Sequence, residues 1–172
     1  MSHEPIASPS PWVTRWASMI RPGGAVLDVA CGSGRHARWL AALGFEVDAV
    51  DRDTAAFVDP PSGVTVRAAD LEDGSPWPYA GRRFDAIVVT NYLHRPLLPV
   101  LVDSLEPGGL LVYETFARGN ERFGKPSNPA FLLAPGELLD AVRGRLRVIG
   151  YEDVTVLEPR PAAVQRMAAR RE

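Results

Sequence analysis

Asp28 stands inside the apolar run 25–30 (AVLDVA), four residues before the first glycine of Gly32-Ser33-Gly34. A short apolar run of this kind makes a buried parallel strand. A carboxylate there is costly unless it is hydrogen-bonded or its charge is used. Glycines directly after a strand let the backbone approach a ligand closely and take positive φ, and a helix that starts beyond them offers free N–H groups. Asp51 and Asp70 end or follow later runs of the same type. An acid, a glycine turn and further strand-end acids describe a small-ligand site, and Asp28 suits a ligand that carries positive charge.

The elements that must position these residues follow from periodicity. Strand-like runs occupy 25–30, 46–51, 64–69, 84–90, 109–116 and 146–151, and a last extended piece covers 153–158. Between the first two lies a helix with Ala37, Leu40, Ala41 and Gly44 on one face and Arg35, Arg38 and Ala42 on the other, with Gly44 as its stop. Pro96 starts a second helix with Leu97, Leu98, Leu101 and Leu105 at core spacing, and Pro135-Gly136 opens a third that ends near Gly144. Strands alternating with helices imply a parallel sheet covered on both faces, with ligands outside the carboxyl ends of the strands.

Composition narrows the classes. A chain of 172 residues, 46% of them hydrophobic, suits one domain over 1–172. No apolar run reaches a membrane span, and the N-terminus lacks a signal peptide's apolar core, so a cytoplasmic protein with no membrane partner is expected. The single Cys31 excludes an internal disulfide and a multi-cysteine metal site, and three scattered histidines have no ligand spacing, so no metal is expected. Net charge is −2, which does not point to nucleic acid. Residues 118–172 nevertheless carry ten basic and seven acidic side chains, which suits either an anionic substrate or a solvated helix surface.

The glycine turn has two readings. Gly32-x-Gly34-x-x-Ala37, with Asp51 19 residues after Gly32, fits a dinucleotide fingerprint. Asp28 argues against it, because a buried carboxylate would repel a pyrophosphate in the turn. Asp28-x-Ala30-x-Gly32-x-Gly34 instead resembles the first motif of class I S-adenosylmethionine-dependent methyltransferases, with Ala30 where that family usually has its first glycine. Asp51, Asp70-Leu71, Asp85 in FDAIVV and the turn EPGGLL resemble later family motifs, in the right order, over about residues 10–158.

The resemblance implies an α/β, Rossmann-like, seven-stranded, mostly parallel sheet with helices on both faces and an antiparallel last strand. Gly150-Tyr151-Glu152-Asp153 is the expected site of the final hairpin. It further implies S-adenosyl-L-methionine as cofactor and S-adenosyl-L-homocysteine as product. Asp51 matches the acid for the ribose hydroxyls, Asp70 and Leu71 the pair for the adenine, and Asp85 a structural acid. With them Trp12, Arg15, Asp28, Ala30, Cys31, Gly32, Gly34, Arg52 and Asn91 form the expected cofactor-binding set, and 1–20 its N-terminal cover.

Little acid–base help is needed for methyl transfer from a sulfonium. His94, Tyr92 and Glu114 are the candidate catalytic groups, and Arg118, Arg122 and Phe123 the candidate substrate contacts. The last three lie in a long connection, 117–133, read as a lid, where Lys125 adds charge and Phe116 and Phe131 add walls. Size and motifs are similar to the small bacterial methyltransferases grouped with tellurite-resistance proteins. A small-molecule methyl acceptor and a monomer or homodimer are therefore expected. RNA or protein methylation through the arginine-rich strip Arg160 to Arg171, or a non-catalytic methyltransferase-like subunit, are the alternatives.

Overall fold

The structure is a computed structural model and describes residues 8–172. Residues 1–7 of the expected N-terminal cover lie outside the described residues. Seven strands form one sheet: β1 Ala25–Val29, β2 Glu46–Asp51, β3 Val64–Ala68, β4 Phe84–Thr90, β5 Leu105–Phe116, β6 Arg147–Val156 and β7 Ala162–Arg170. Their order is β3-β2-β1-β4-β5-β7-β6. The first five run parallel, and β7 lies antiparallel between β5 and β6. The strand order therefore reverses at β1/β4, where this class of sheet opens a ligand crevice.

Alternation along the strands builds two cores. Leu27, Val29, Ile87, Val89, Leu111 and Tyr113 face α3 Leu98–Asp103 and α4 Glu137–Val142. Val26, Ala86, Val88, Leu110 and Val112 face α1 Pro11–Trp16 and α2 Arg35–Ala42. Asp85, at the start of β4, takes Arg21 at 2.9 Å and the Ala25 N–H at 2.8 Å, so it pins β4 to the entry of β1. Its role is structural, as its motif implied.

The C-terminal hairpin differs from expectation. Residues 150–153 are not a turn but the middle of β6, and the reversal lies at 157–161. The strand β7, AAVQRMAAR, consists of good helix formers apart from Val164, yet seven of its nine residues are buried in the sheet. Tertiary pairing on both edges overrides that local preference.

Gly150 has a packing reason to be in β6. A Cβ at this position would lie 2.3 Å from the Trp16 ring, which is itself buried. Trp16 and Trp12 meet edge to face at 5.5 Å, and the Trp12 indole N–H donates to the Met167 carbonyl at 3.2 Å. Helix α1 is thus docked on the sheet by its tryptophans. Gly150→Ala is expected to destabilise the fold by about 1–3 kcal/mol through overpacking. A denaturant midpoint that does not move in this variant would show that α1 is not held there.

Candidate functional site

At the carboxyl edge the chain turns sharply after β1. Ala30 and Gly32 take φ of +55° and +54°, and Gly34 takes +87° before α2 begins. The Gly32 N–H donates to one Asp51 carboxylate oxygen at 2.9 Å, and the Asp53 N–H donates to the other at 3.1 Å. Asp51 thereby ties the glycine turn to the end of β2. Gly34 is held close to Phe57, whose ring would lie 2.3 Å from an added Cβ.

Asp28 lies beneath this turn, 1% exposed, and accepts the Ala37 N–H at 3.1 Å. Burial pushes its pKa up to about 7, opposed by that hydrogen bond and by Arg35. Burial, with Asp28 and Asp51 nearby, also pushes the Cys31 thiol up to about 12, which keeps it neutral and unreactive.

A cavity of about 650 Å³ opens in front of the turn. Ala30, Asp51, Arg52, Asp70, Leu71, Asn91 and Tyr92, all expected site residues, line it, as does Glu72. Burial and the contact with Glu72 raise the Tyr92 pKa, so its hydroxyl stays protonated and donates to Glu72 at 3.1 Å. His94 is not brought into this cavity. It lines a separate space of about 140 Å³ with Trp77 and Pro96, and its Nδ1 lies 3.4 Å from Glu72. Two of the three candidate catalytic groups, Tyr92 and His94, are thus both engaged with one carboxylate.

A second cavity, of about 930 Å³, adjoins the first, and Asn91 and Phe116 line both. Asn91 sits in a positive-φ turn, at +54°, with its N–H on the Glu114 carbonyl at 2.9 Å. Glu114, Arg122 and Phe123 line this second cavity. The Glu114 carboxylate accepts the Ser10 hydroxyl at 2.7 Å and pairs with Arg166 at 3.0 Å. Arg166 also pairs with Glu152 at 2.7 Å, so the acid expected to move protons is held as part of an ion-pair pillar.

Three expected contacts lie elsewhere. Trp12 is core beneath the sheet, because the apolar face of α1 packs inward. Arg15 stacks at 4.8 Å over the Trp16 ring, 3.8 Å from Glu152. Arg118 is exposed and lines neither cavity, since its backbone N–H, donating to the Leu133 carbonyl, turns the chain there. The connection 117–133 does wall both cavities, through Pro126 and Phe131 on one side and Asn120 and Arg122 to Lys125 on the other.

Ser10 and His36 are functional-site neighbours that pattern reading missed. The His36 Nε2 accepts the Ser10 N–H at 2.9 Å, which leaves the proton on Nδ1, 3.5 Å from the Thr90 hydroxyl. Burial, with Arg35 adding to it, pushes His36 down to about 3, so it is neutral. The signals were present: Ser10-Pro11 is a helix start, and His36 adjoins the buried face of α2.

Among the described residues no helix is long and apolar enough to cross a membrane. Residues 26–109 match a family model described as a methyltransferase domain. No curated protein matched the sequence. The fold is similar to that of TehB from Haemophilus influenzae, with a TM-score of 0.77 and 18% identity over 95% of this chain and 63% of that one. The chain thus spans less than two thirds of that protein's length. It is also similar to a TehB-like SAM-dependent methyltransferase from Corynebacterium glutamicum, with a TM-score of 0.67 and 20% identity over 94% of this chain and 87% of the other. A third likeness is to the glycopeptide N-methyltransferase MtfA in complex with S-adenosylhomocysteine, with a TM-score of 0.64 and 21% identity over 93% and 88%.

Proposed function

We propose that this chain, which carries a methyltransferase domain in the fold of the S-adenosylmethionine-dependent enzymes, transfers a methyl group from S-adenosylmethionine to a small-molecule acceptor. The observation that carries the reading is the meeting of two cavities at Asn91 and Phe116. One suits the cofactor and the other suits the acceptor.

The residues of the first cavity fit that cofactor. Asp51 spends two hydrogen-bonding positions on Gly32 and Asp53. A carboxylate offers about four, so room remains for two ribose hydroxyls. Asp70 and Leu71 are the adenine contacts in this reading, and Ala30, Gly32 and Asn91 receive the amino-acid end. Asp28 supplies negative charge from beneath the turn. When bound, S-adenosylmethionine supplies a sulfonium-activated methyl carbon, so an acceptor lone pair forms the new bond as the carbon–sulfur pair returns to sulfur.

The protein's own contribution is then position and exclusion of water. Tyr92 is a hydrogen-bond donor, and Glu114 is locked against Ser10 and Arg166. This arrangement favours an acceptor atom that needs no strong base. The 117–133 connection serves as the cover of the acceptor cavity. The arginine strip offers little to RNA: Arg166 is paired with Glu114, Arg170 bonds to the Gly108 and Met19 carbonyls, and Arg171 bonds to the Leu105 carbonyl.

Calorimetry tests the reading. S-adenosylmethionine and S-adenosylhomocysteine should bind and NAD should not. Asp51→Ala should weaken both by about 1–3 kcal/mol, the range for hydrogen bonds to a charged group. Micromolar binding of NAD with neither sulfur nucleotide bound would overturn it.

A further inference from the structure

The two cavities differ in charge. Asp51, Asp70 and Glu72 line the first against Arg52 alone. The second holds Arg35, Arg122, Lys125, Arg160 and Arg166 against Glu114 and Glu158. Arg166 is already answered by Glu114 and Glu152. Arg35 is not answered in this way. Among the described residues no carboxylate lies within ion-pair distance of it, and its one hydrogen bond goes to the Ser8 carbonyl at 3.0 Å.

Arg35 is half-buried, and burial pulls its pKa below the ordinary value, with Glu114 and Asp28 only partly offsetting that pull. A partly desolvated guanidinium carries five donors in a planar fork that matches a carboxylate or phosphate. Such a group gains by receiving an anion through charge-assisted hydrogen bonds. Phe116, Phe123, Val156 and Val164 supply an apolar wall beside the cations. An inorganic ion would leave that wall unused.

We infer that the methyl acceptor is an organic anion whose charged group is received by Arg35, with Arg122 and Lys125 supporting it and its carbon body against Phe116 and Phe123. The inference rests on the methyl-transfer reading. It assigns to the second cavity the sign of its ligand and an anchoring residue.

The full chain, saturated with S-adenosylhomocysteine, is titrated with benzoate and with its neutral analogue benzyl alcohol, followed by NMR. Benzoate should bind, and benzyl alcohol should bind about tenfold more weakly or less, as expected when a charged hydrogen bond is lost. Arg35→Gln should cost benzoate about tenfold and Arg35→Lys clearly less, with the Kd for S-adenosylhomocysteine at pH about 8, where Asp28 is mostly ionised, within about twofold of wild type. Arg122→Gln, on an exposed side chain, should give a smaller loss and covers the case in which Arg35→Gln does not fold. Equal affinity for the two probes, no binding of benzoate, or a full benzoate affinity in a folded Arg35→Gln would overturn the inference. Weakened S-adenosylhomocysteine with unchanged benzoate would also overturn it, because Arg35 would then serve the cofactor's own carboxylate. Failure of the wild type to bind S-adenosylhomocysteine at all is a separate result, which removes the methyl-transfer reading and the inference with it.

Discussion

S-adenosylmethionine affinity is expected to rise about tenfold per pH unit as pH climbs toward about 7, and to level off above it. The cause is Asp28. In the free protein its carboxyl, buried beneath the glycine turn, titrates at about 7. A cationic ligand favours the charged form, so binding below that pH must first expel a proton. The bound ligand lowers the Asp28 pKa, and binding therefore releases a proton in acid and none in base. Calorimetry in buffers of different ionisation enthalpy reads that proton directly. Asp28→Asn should flatten the profile and leave the affinity low throughout. The charged and titratable groups around Asp28 are Arg35, Asp51 and Cys31, and the variant separates their effect from its own. An affinity in the wild type that is flat from pH about 6 to 8 would show that Asp28 does not communicate with the ligand.

Asp28 also shows what was legible in the sequence. Its oddity in an apolar strand, the positive-φ glycines after it and the acids ending β2 and following β3 are local signals. Each survives folding because a strand end can go only one way. The parallel sheet from β1 to β5 was legible for the same reason, since buried parallel strands read as continuous apolar runs. The reversal at 157–161 was not legible. The Ala-rich β7 looks like a helix or a tail, and only its two neighbours make it a strand.

The proposed acceptor side was the least legible part. His94 follows β4 as expected, yet the chain carries it past the junction to the far side of Asp70 and Leu71. Arg118 and Arg122 are four residues apart in one loop, and a backbone bond from Arg118 to Leu133 sends one outward while the other lines the cavity. Spacing cannot reveal this, because loop side chains have no period. Arg35, assigned only to the polar face of a helix, reaches the second cavity because α2 starts at its mouth.

Folding stability is expected to change little between about pH 4 and 6.5, because two buried groups near the start of α2 oppose each other there. His36 is held neutral, its pKa pushed from 6.5 down to about 3 by burial and Arg35. Its contribution is fully present above the unfolded value of 6.5 and is lost as pH falls toward about 3. Asp28 has the opposite sign, since its pKa is raised from 3.8 to about 7. Its contribution is fully present below 3.8 and is lost as pH rises through about 7. In the window where both apply, the unfolded chain takes up one proton at His36 for each that it gives up at Asp28, so the slopes cancel. Each term is of order a few kcal/mol over its window. Removing one group should therefore expose the other. Urea denaturation of Asp28→Asn should show stability falling steeply from pH about 6.5 to 4, through His36 alone. His36→Asn should show stability rising over the same interval, even if the variant is weaker at neutral pH for loss of the Ser10 bond. Parallel profiles for wild type and both variants would mean that neither group changes its protonation between the folded and unfolded states in that range.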